Sequence, residues 1–275
     1  MILYSSLWDE KALEGSVFRL LESDEPAAVE VVREEGLSPF FFTCDHAGRR
    51  LPRRLGDLGL PASEQVRHIA WDIGAAAVAH ALAEHFDACL ITQAYSRLVI
   101  DCNRPTHVPS SIPTISEETD IPGNHGLDPA EVTARRREIF DVYHGAIEAA
   151  LDAREARGQP TVLVSVHSFT PVFKGFHRPW DLGLLYHRYD RLASWLKDRL
   201  DADGDLVVGD NEPYAVSDTT DYTIPVYGEH RGIPHIMFEI RQDLIAEPPG
   251  QRAWADRLSD LLRPVPDRLA AQGEL

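Results

Sequence analysis

Thr161-Val162-Leu163-Val164-Ser165-Val166-His167-Ser168-Phe169-Thr170 is a run of β-branched and apolar residues that stops at a histidine among hydroxyl groups. An unbroken apolar run of this length reads as a strand buried on both faces, the kind found inside an α/β sheet. Such sheets keep their chemistry just beyond the strand ends, where loops set polar groups over a dry floor. His167 stands at that place. Pro39-Phe40-Phe41-Phe42-Thr43-Cys44-Asp45-His46 repeats the layout, so two strands each carry one imidazole to what reads as the same edge.

Working outward, further strands are expected at Ala88–Thr92, at Leu182–Tyr186, within Leu206–Tyr214, where a strand runs into a polar turn, and at Pro234–Arg241. Helices are expected at Ala75–His85, Glu131–Arg157, Arg191–Leu200 and Trp254–Leu262. The long helix carries an apolar stripe at Ile139, Val142, Tyr143, Ile147 and Leu151. Strands alternating with helices predict the α/β class: a three-layer α/β/α fold with a mixed, mostly parallel central sheet. Residues 1–275 read as one domain, with 1–36 as a decorating N-terminal segment. The stretch from about 105 to 129, marked by Pro109, Pro113, Pro122 and Pro129, reads as a long loop, and a loop of that length in a compact domain is usually functional.

Composition narrows the classes. Acidic side chains outnumber basic ones 44 to 27, giving a net charge of −17. A surface this acidic repels phosphate backbones and anionic membranes, which argues against nucleic-acid and membrane partners. It leaves room for a small anionic substrate if arginines gather in one place. The three cysteines, Cys44, Cys89 and Cys102, are odd in number and lie in or beside apolar runs, so free buried thiols are expected. No signal peptide or bilayer-length apolar span is visible, and a cytoplasmic location is the simplest expectation. A homo-oligomer is left open.

His46 and His167 are the leading metal-ligand candidates, since a catalytic zinc takes three protein ligands and keeps one position for water. No HExxH or CxxC signature supplies the third ligand; Asp72, Asp45 and His68 are the candidates, with a helix N-cap the competing role for Asp72. Glu239 is a carboxylate in an apolar strand, suited to exchange a proton with water, unless it faces solvent or pairs with Arg241. Arg97, Asn103 and Arg104 flank what reads as one strand and could recognise a carboxylate; a salt bridge from Asp101 to one arginine is the competing reading. Asn211 could orient a substrate amide or simply make a turn. His144, beside Tyr143 on the long helix, is a further substrate-side candidate or a surface residue.

Cys44-Asp45-His46-Ala47-Gly48, Trp71-Asp72, Ser96-Arg97-Leu98-Val99-Ile100-Asp101-Cys102-Asn103-Arg104, Tyr143-His144, Val166-His167-Ser168-Phe169, Gly209–Tyr214 and Phe238–Leu244 together resemble the N-formylglutamate amidohydrolase family, in order from about residue 38 to 246. The Ser-Arg-x-x-x-Asp-x-Asn-Arg string is the most specific of these pieces. That family is similar at a distance to zinc carboxypeptidases. The resemblance implies a phosphorylase/hydrolase-like fold and one divalent metal, zinc before others, on His46 and His167. It implies Arg97 as polariser of the scissile carbonyl, Asn103 and Arg104 as clamp on the substrate carboxylate, and Glu239 as general base and acid. Carboxypeptidases draw a ligand from His-x-x-Glu, whereas Arg49 stands at that place here. The carboxylate ligand is therefore assigned to Asp72, with Asp45 second. The implied reaction is hydrolysis of an N-acyl amino acid, N-formyl-L-glutamate first. A carboxypeptidase-like zinc peptidase and a non-catalytic carboxylate-binding protein of the same fold are the alternatives.

Overall fold

In the computed structural model, which describes residues 18–275, the apolar runs do form strands of one sheet. In chain order they are β1 (Val29–Val32), β2 (Phe40–Cys44), β3 (Cys89–Gln93), the hairpin pair β4 (Ile115–Ser116) and β5 (Thr119–Asp120), β6 (Val162–Phe169), the hairpin pair β7 (Val172–Phe173) and β8 (Phe176–His177), β9 (Leu182–Leu185), β10 (Val208–Asp210) and β11 (His235–Arg241). The helices are α1 (Ala75–Phe86), α2 (Pro129–Arg135), α3 (Asp141–Ala156), α4 (Arg191–Asp203), α5 (Pro248–Leu262) and α6 (Val265–Gln272). Residues 1–17 of the decorating segment lie outside the described residues; of the remainder, β1 pairs antiparallel with β3.

Seven strands form the central sheet in the order β1-β3-β2-β6-β11-β9-β10. The middle four, β3, β2, β6 and β11, run parallel, and β11 meets β9 antiparallel. The sheet is thus mixed and mostly parallel. Every residue of β2, β3 and β6 is buried, because helices cover both faces. Alternation along each strand sorts the side chains. Phe40, Phe42, Val162, Val164, Val166, Ile236, Phe238 and Ile240 pack under α1, α4, α5 and α6. Phe41, Leu163 and Met237 take the opposite face with Tyr143, Ile147 and Leu151 of α3.

On that second face the same period places Ser165 and His167 beyond Leu163, and Glu239 beyond Met237. Glu239 stands level with His167 across the parallel β6–β11 ladder. The apolar rows end together, and titratable groups continue them at the C-terminal ends of β2, β6 and β11.

Three expectations are corrected. The long helix is continuous, α2 passing into α3 through a π-helical turn at Arg136–Phe140, but its apolar stripe is narrower than expected. Buried contacts follow Ile139, Tyr143, Ile147 and Leu151, one row at a spacing of four, and Val142 lies on the solvent flank. The strand expected between Ser96 and Arg104 is a chain of turns. Leu98 N–H donates to Ser96 Oγ, Asn103 N–H donates to Asp101 Oδ1, and Arg104 N–H donates to Asp101 O. Side-chain acceptors that bond their own backbone neighbours draw it away from a ladder. The expected 105–129 loop is not structureless, since it folds into the β4–β5 hairpin and short 3-10 turns at Pro109–Ser111 and Pro122–Asn124. The three cysteines are free and buried, as expected.

Candidate active site

β2 ends at Cys44, and the chain turns through Asp45 and His46 into Gly48. A Cβ on Gly48 would lie 1.9 Å from the carbonyl oxygen of Ala94, so only glycine lets this loop press against the one following β3. His46 comes from the β2 loop and His167 from β6; Asp72 precedes α1, and its backbone N–H donates to His46 O. The competing N-cap role for Asp72 is not taken. Gly74 precedes α1 in a left-handed conformation, and the Asp72 carboxylate turns inward.

The two imidazoles converge, with ring centroids 5.0 Å apart. His46 and His167 are each 2% exposed and Asp72 3%, so all three groups are out of bulk water. Nδ1 of His167 lies 2.8 Å, and Nδ1 of His46 3.3 Å, from Asp72 Oδ2. His46, Asp72 and His167 offer ligand atoms within 4.8 Å of one another. The far nitrogens are also engaged: His46 Nε2 with Asp101 Oδ1 at 2.7 Å, His167 Nε2 with Asp45 Oδ2 at 3.0 Å. Tyr143 and Thr223 hydroxyls both donate to Asp45 Oδ1 at 2.7 Å. A carboxylate on the distal nitrogen orients a ligating imidazole and raises its basicity. Asp45, the runner-up ligand, stands in that backing place, and His68 lies toward Glu117 at 3.5 Å.

The charges hold one another. Burial works to raise the Asp45 carboxyl, but hydrogen bonding and proximity to His167 keep it down at about 2. Burial also opposes ionisation of Asp72 and Asp101; His46 and His167 overcome it at the first, Arg97 and His46 at the second, and both acids lie below the usual range. His167 is held well above the ordinary imidazole value, its hydrogen bonds to Asp45 and Asp72 outweighing desolvation.

Glu239 behaves differently. It is buried, its Oε2 has no hydrogen-bond partner, and burial pushes its carboxyl up to about 7, with His167 opposing. It does not face solvent, and Arg241 pairs instead with Asp181 and Asp243.

Arg97 donates from Nε and Nη2 to Asp101 Oδ2 and from Nη1 to Asp72 Oδ1, so the Asp101 salt bridge forms. His46, Asp72, His167, Glu239, Arg97 and Arg104 line one cavity of about 470 Å³. The β4–β5 hairpin adds Ile115, Ser116 and Glu117 to its wall. Arg104 donates to Asn103 O and to the Thr220 carbonyl and lies 3.8 Å from Asp221. Asn103 borders the cavity with its amide already committed: Oδ1 accepts from the Tyr222 and Thr223 backbone, and Nδ2 donates to Asp221. Asn211 sits away from the cavity in a left-handed turn, its Oδ1 accepting from Tyr186 N–H. His144 lies behind the site, its Nε2 2.8 Å from Cys102 O.

The backing role of Thr223 is long-range and left no local pattern to read, whereas Asp45 and Tyr143 stand inside the Cys44–Gly48 and Tyr143-His144 segments. Asp101 likewise stands inside the Ser-Arg-x-x-x-Asp-x-Asn-Arg string.

Two imidazoles, a carboxylate between them and an unpaired glutamate over the ends of parallel strands form the equipment of an α/β hydrolytic enzyme. The sequence takes this to a family. Residues 38–246 match the family described as N-formylglutamate amidohydrolase, and the chain belongs to that family. Among solved structures, a gene product of Agrobacterium tumefaciens is 37% identical, covering 92% of this chain and 100% of its own, with a TM-score of 0.88. N-formylglutamate amidohydrolase from Ralstonia eutropha JMP134 is 19% identical, covers 90% of this chain and 100% of its own, and shares the fold at a TM-score of 0.65. No curated protein matches the chain.

Proposed function

We propose that this amidohydrolase is metal-dependent and cleaves the amide of an N-acyl amino acid, N-formyl-L-glutamate first, to give formate and L-glutamate. One observation carries the reading: His46, Asp72 and His167 turn ligand atoms toward one point in the cavity that Glu239 enters without a partner. The donor set fits a divalent cation, since both Nδ1 atoms face inward while carboxylates back both Nε2 atoms. Two imidazoles and a carboxylate suit zinc and leave a position for water. A cation held there supplies Lewis acidity and brings the pKa of water down to ~7.

The protein's own groups do the rest. Glu239, poised near neutrality, takes the proton of the attacking water and returns it to the departing amine nitrogen. Arg97, fixed by Asp101 and Asp72, sets a guanidinium in the cavity wall to meet charge developing on the carbonyl oxygen. Arg104 binds the α-carboxylate and so orients the amide. Asn103 holds the 221–223 turn beside it.

The test is formate release from N-formyl-L-glutamate by purified protein, before and after chelation. Formate that appears with metal and stops on chelation is the expected result; no release by metal-replete protein defeats the reading. Short peptides run in parallel separate it from a peptidase.

A further inference from the structure

Three arginines are buried without a carboxylate within ion-pair distance among the described residues: Arg135, Arg154 and Arg178. Two are held by three hydrogen bonds each to other acceptors. Arg135 donates to Val99 O, Asn124 Oδ1 and Gly123 O. Arg154 donates to Thr161 Oγ1, Ser38 O and Pro160 O. Both knit loops and strand starts together.

Arg178 is built otherwise. It is 7% exposed, and the acceptor facing it is the Thr170 carbonyl at a long 3.5 Å. Its guanidinium lies between the Phe173 and Tyr214 rings, 4.6 and 4.7 Å from their centroids, with Phe169 at 5.9 Å. Ring faces offset part of the cost of burying a cation but leave its N–H edge unused. That edge is not sealed in protein: Arg135 Nε and Arg154 Nη1 are buried without partners, whereas no Arg178 nitrogen is. Arg178 stands directly behind the wall of the catalytic cavity, since its neighbours Phe169, Thr170, Phe173 and Tyr214 all line it.

The arginines that line the cavity are committed. Arg97 is shared between Asp101 and Asp72, and Arg104 is the group read above as holding the α-carboxylate. We propose that Arg178 is the specificity residue for the substrate's side chain, its guanidinium edge receiving a second carboxylate so that acidic N-acyl amino acids are selected over neutral ones. A planar fork clamped between rings suits this task, because its orientation is fixed before the ligand arrives. The inference rests on the amidohydrolase reading for the reaction, and on Arg178 alone for the selection.

The experiment compares N-formyl-L-glutamate, N-formyl-L-glutamine and N-formyl-L-leucine on the wild type, Arg178→Met and Arg178→Lys, with each variant's fold checked by circular dichroism. The wild type is expected to favour the glutamate substrate. Arg178→Met should raise KM for it by roughly 10- to 100-fold, the scale of one charge-assisted contact, while changing kcat and the two neutral substrates little. Arg178→Lys should recover part of the loss. Equal losses on all three substrates, or a wild type indifferent to the side-chain charge, overturn the proposal. If the metal-replete wild type hydrolyses none of them, the amidohydrolase reading fails. Calorimetric binding of N-formyl-L-glutamate against N-formyl-L-glutamine then still decides Arg178: a preference lost in Arg178→Met upholds it, and no preference sinks it. Should Arg178→Met fail to fold, Arg178→Lys decides by the same comparison, with loss confined to the glutamate substrate expected.

Discussion

Glu239 is the residue on which the chemistry turns. An ionised carboxylate buried without a partner is costly, and a fold keeps one where it is used. Glu239→Gln preserves the shape and removes the proton acceptor. We expect kcat to fall by about 10²- to 10⁴-fold, the usual worth of a positioned general base, with metal content unchanged. Stability should hold or rise, because the variant no longer buries a group that prefers to be charged in water. Steady-state kinetics and a urea melt on the same preparation check both halves; full activity in Glu239→Gln removes the base assigned here. The sequence already marked this residue, since a lone acid in Phe238-Glu239-Ile240 breaks the pattern of a buried strand. The bonds that Asn103 spends on the 221–223 turn were not readable, because its partners lie more than a hundred residues away.

At the scale of elements, α3 carries a pH-sensitive group behind the site. His144 packs against Phe140, Tyr222 and Tyr227, donates from Nε2 to Cys102 O, and leaves Nδ1 buried without a partner. Burial pulls its pKa down to about 4, against ~6.5 in an unfolded chain. Below pH ~6.5 the unfolded chain therefore binds a proton that the folded one refuses. The stability contributed by neutral His144 is complete above that pH and is lost as pH falls through about 4. The gap corresponds to roughly 3 kcal/mol. Urea melts at pH 8, 6 and 5 should show a steeper loss in the wild type than in His144→Gln, which keeps a donor for Cys102 O but does not titrate. Parallel slopes would refute the assignment. Elements were legible where burial is continuous, as in β2 and β6, whose apolar runs fit only a covered sheet. They were misread where polar side chains rebuild the backbone locally: the alternation of Ser96–Arg104 imitates a strand, yet Ser96 and Asp101 bond their own neighbours into turns.

For the molecule as a whole, seven strands bring residues from opposite halves of the sequence to one edge. That His46 and His167 share an edge was inferable from two apolar runs each ending in a histidine. The strand order that makes β2 and β6 neighbours was not, because order depends on which helices fill which face. One consequence of this architecture is global. The candidate ligands come from the β2 loop, the turn before α1 and the end of β6, so they are near one another only in the folded chain. A cation that binds the folded form alone stabilises it by mass action, by about 2.7 kcal/mol when free metal is at 100 times its dissociation constant. Metal-replete protein should therefore melt several degrees higher than chelator-treated protein, an interval of roughly 2–4 °C for each kcal/mol at this chain length. His46→Ala and His167→Ala should each abolish the interval while Asn211→Ala, away from the cavity, keeps it. Differential scanning calorimetry with zinc, manganese and cobalt gives the comparison; identical melts with and without metal across all three ions would leave the converging side chains a network of buried ion pairs rather than a cation site.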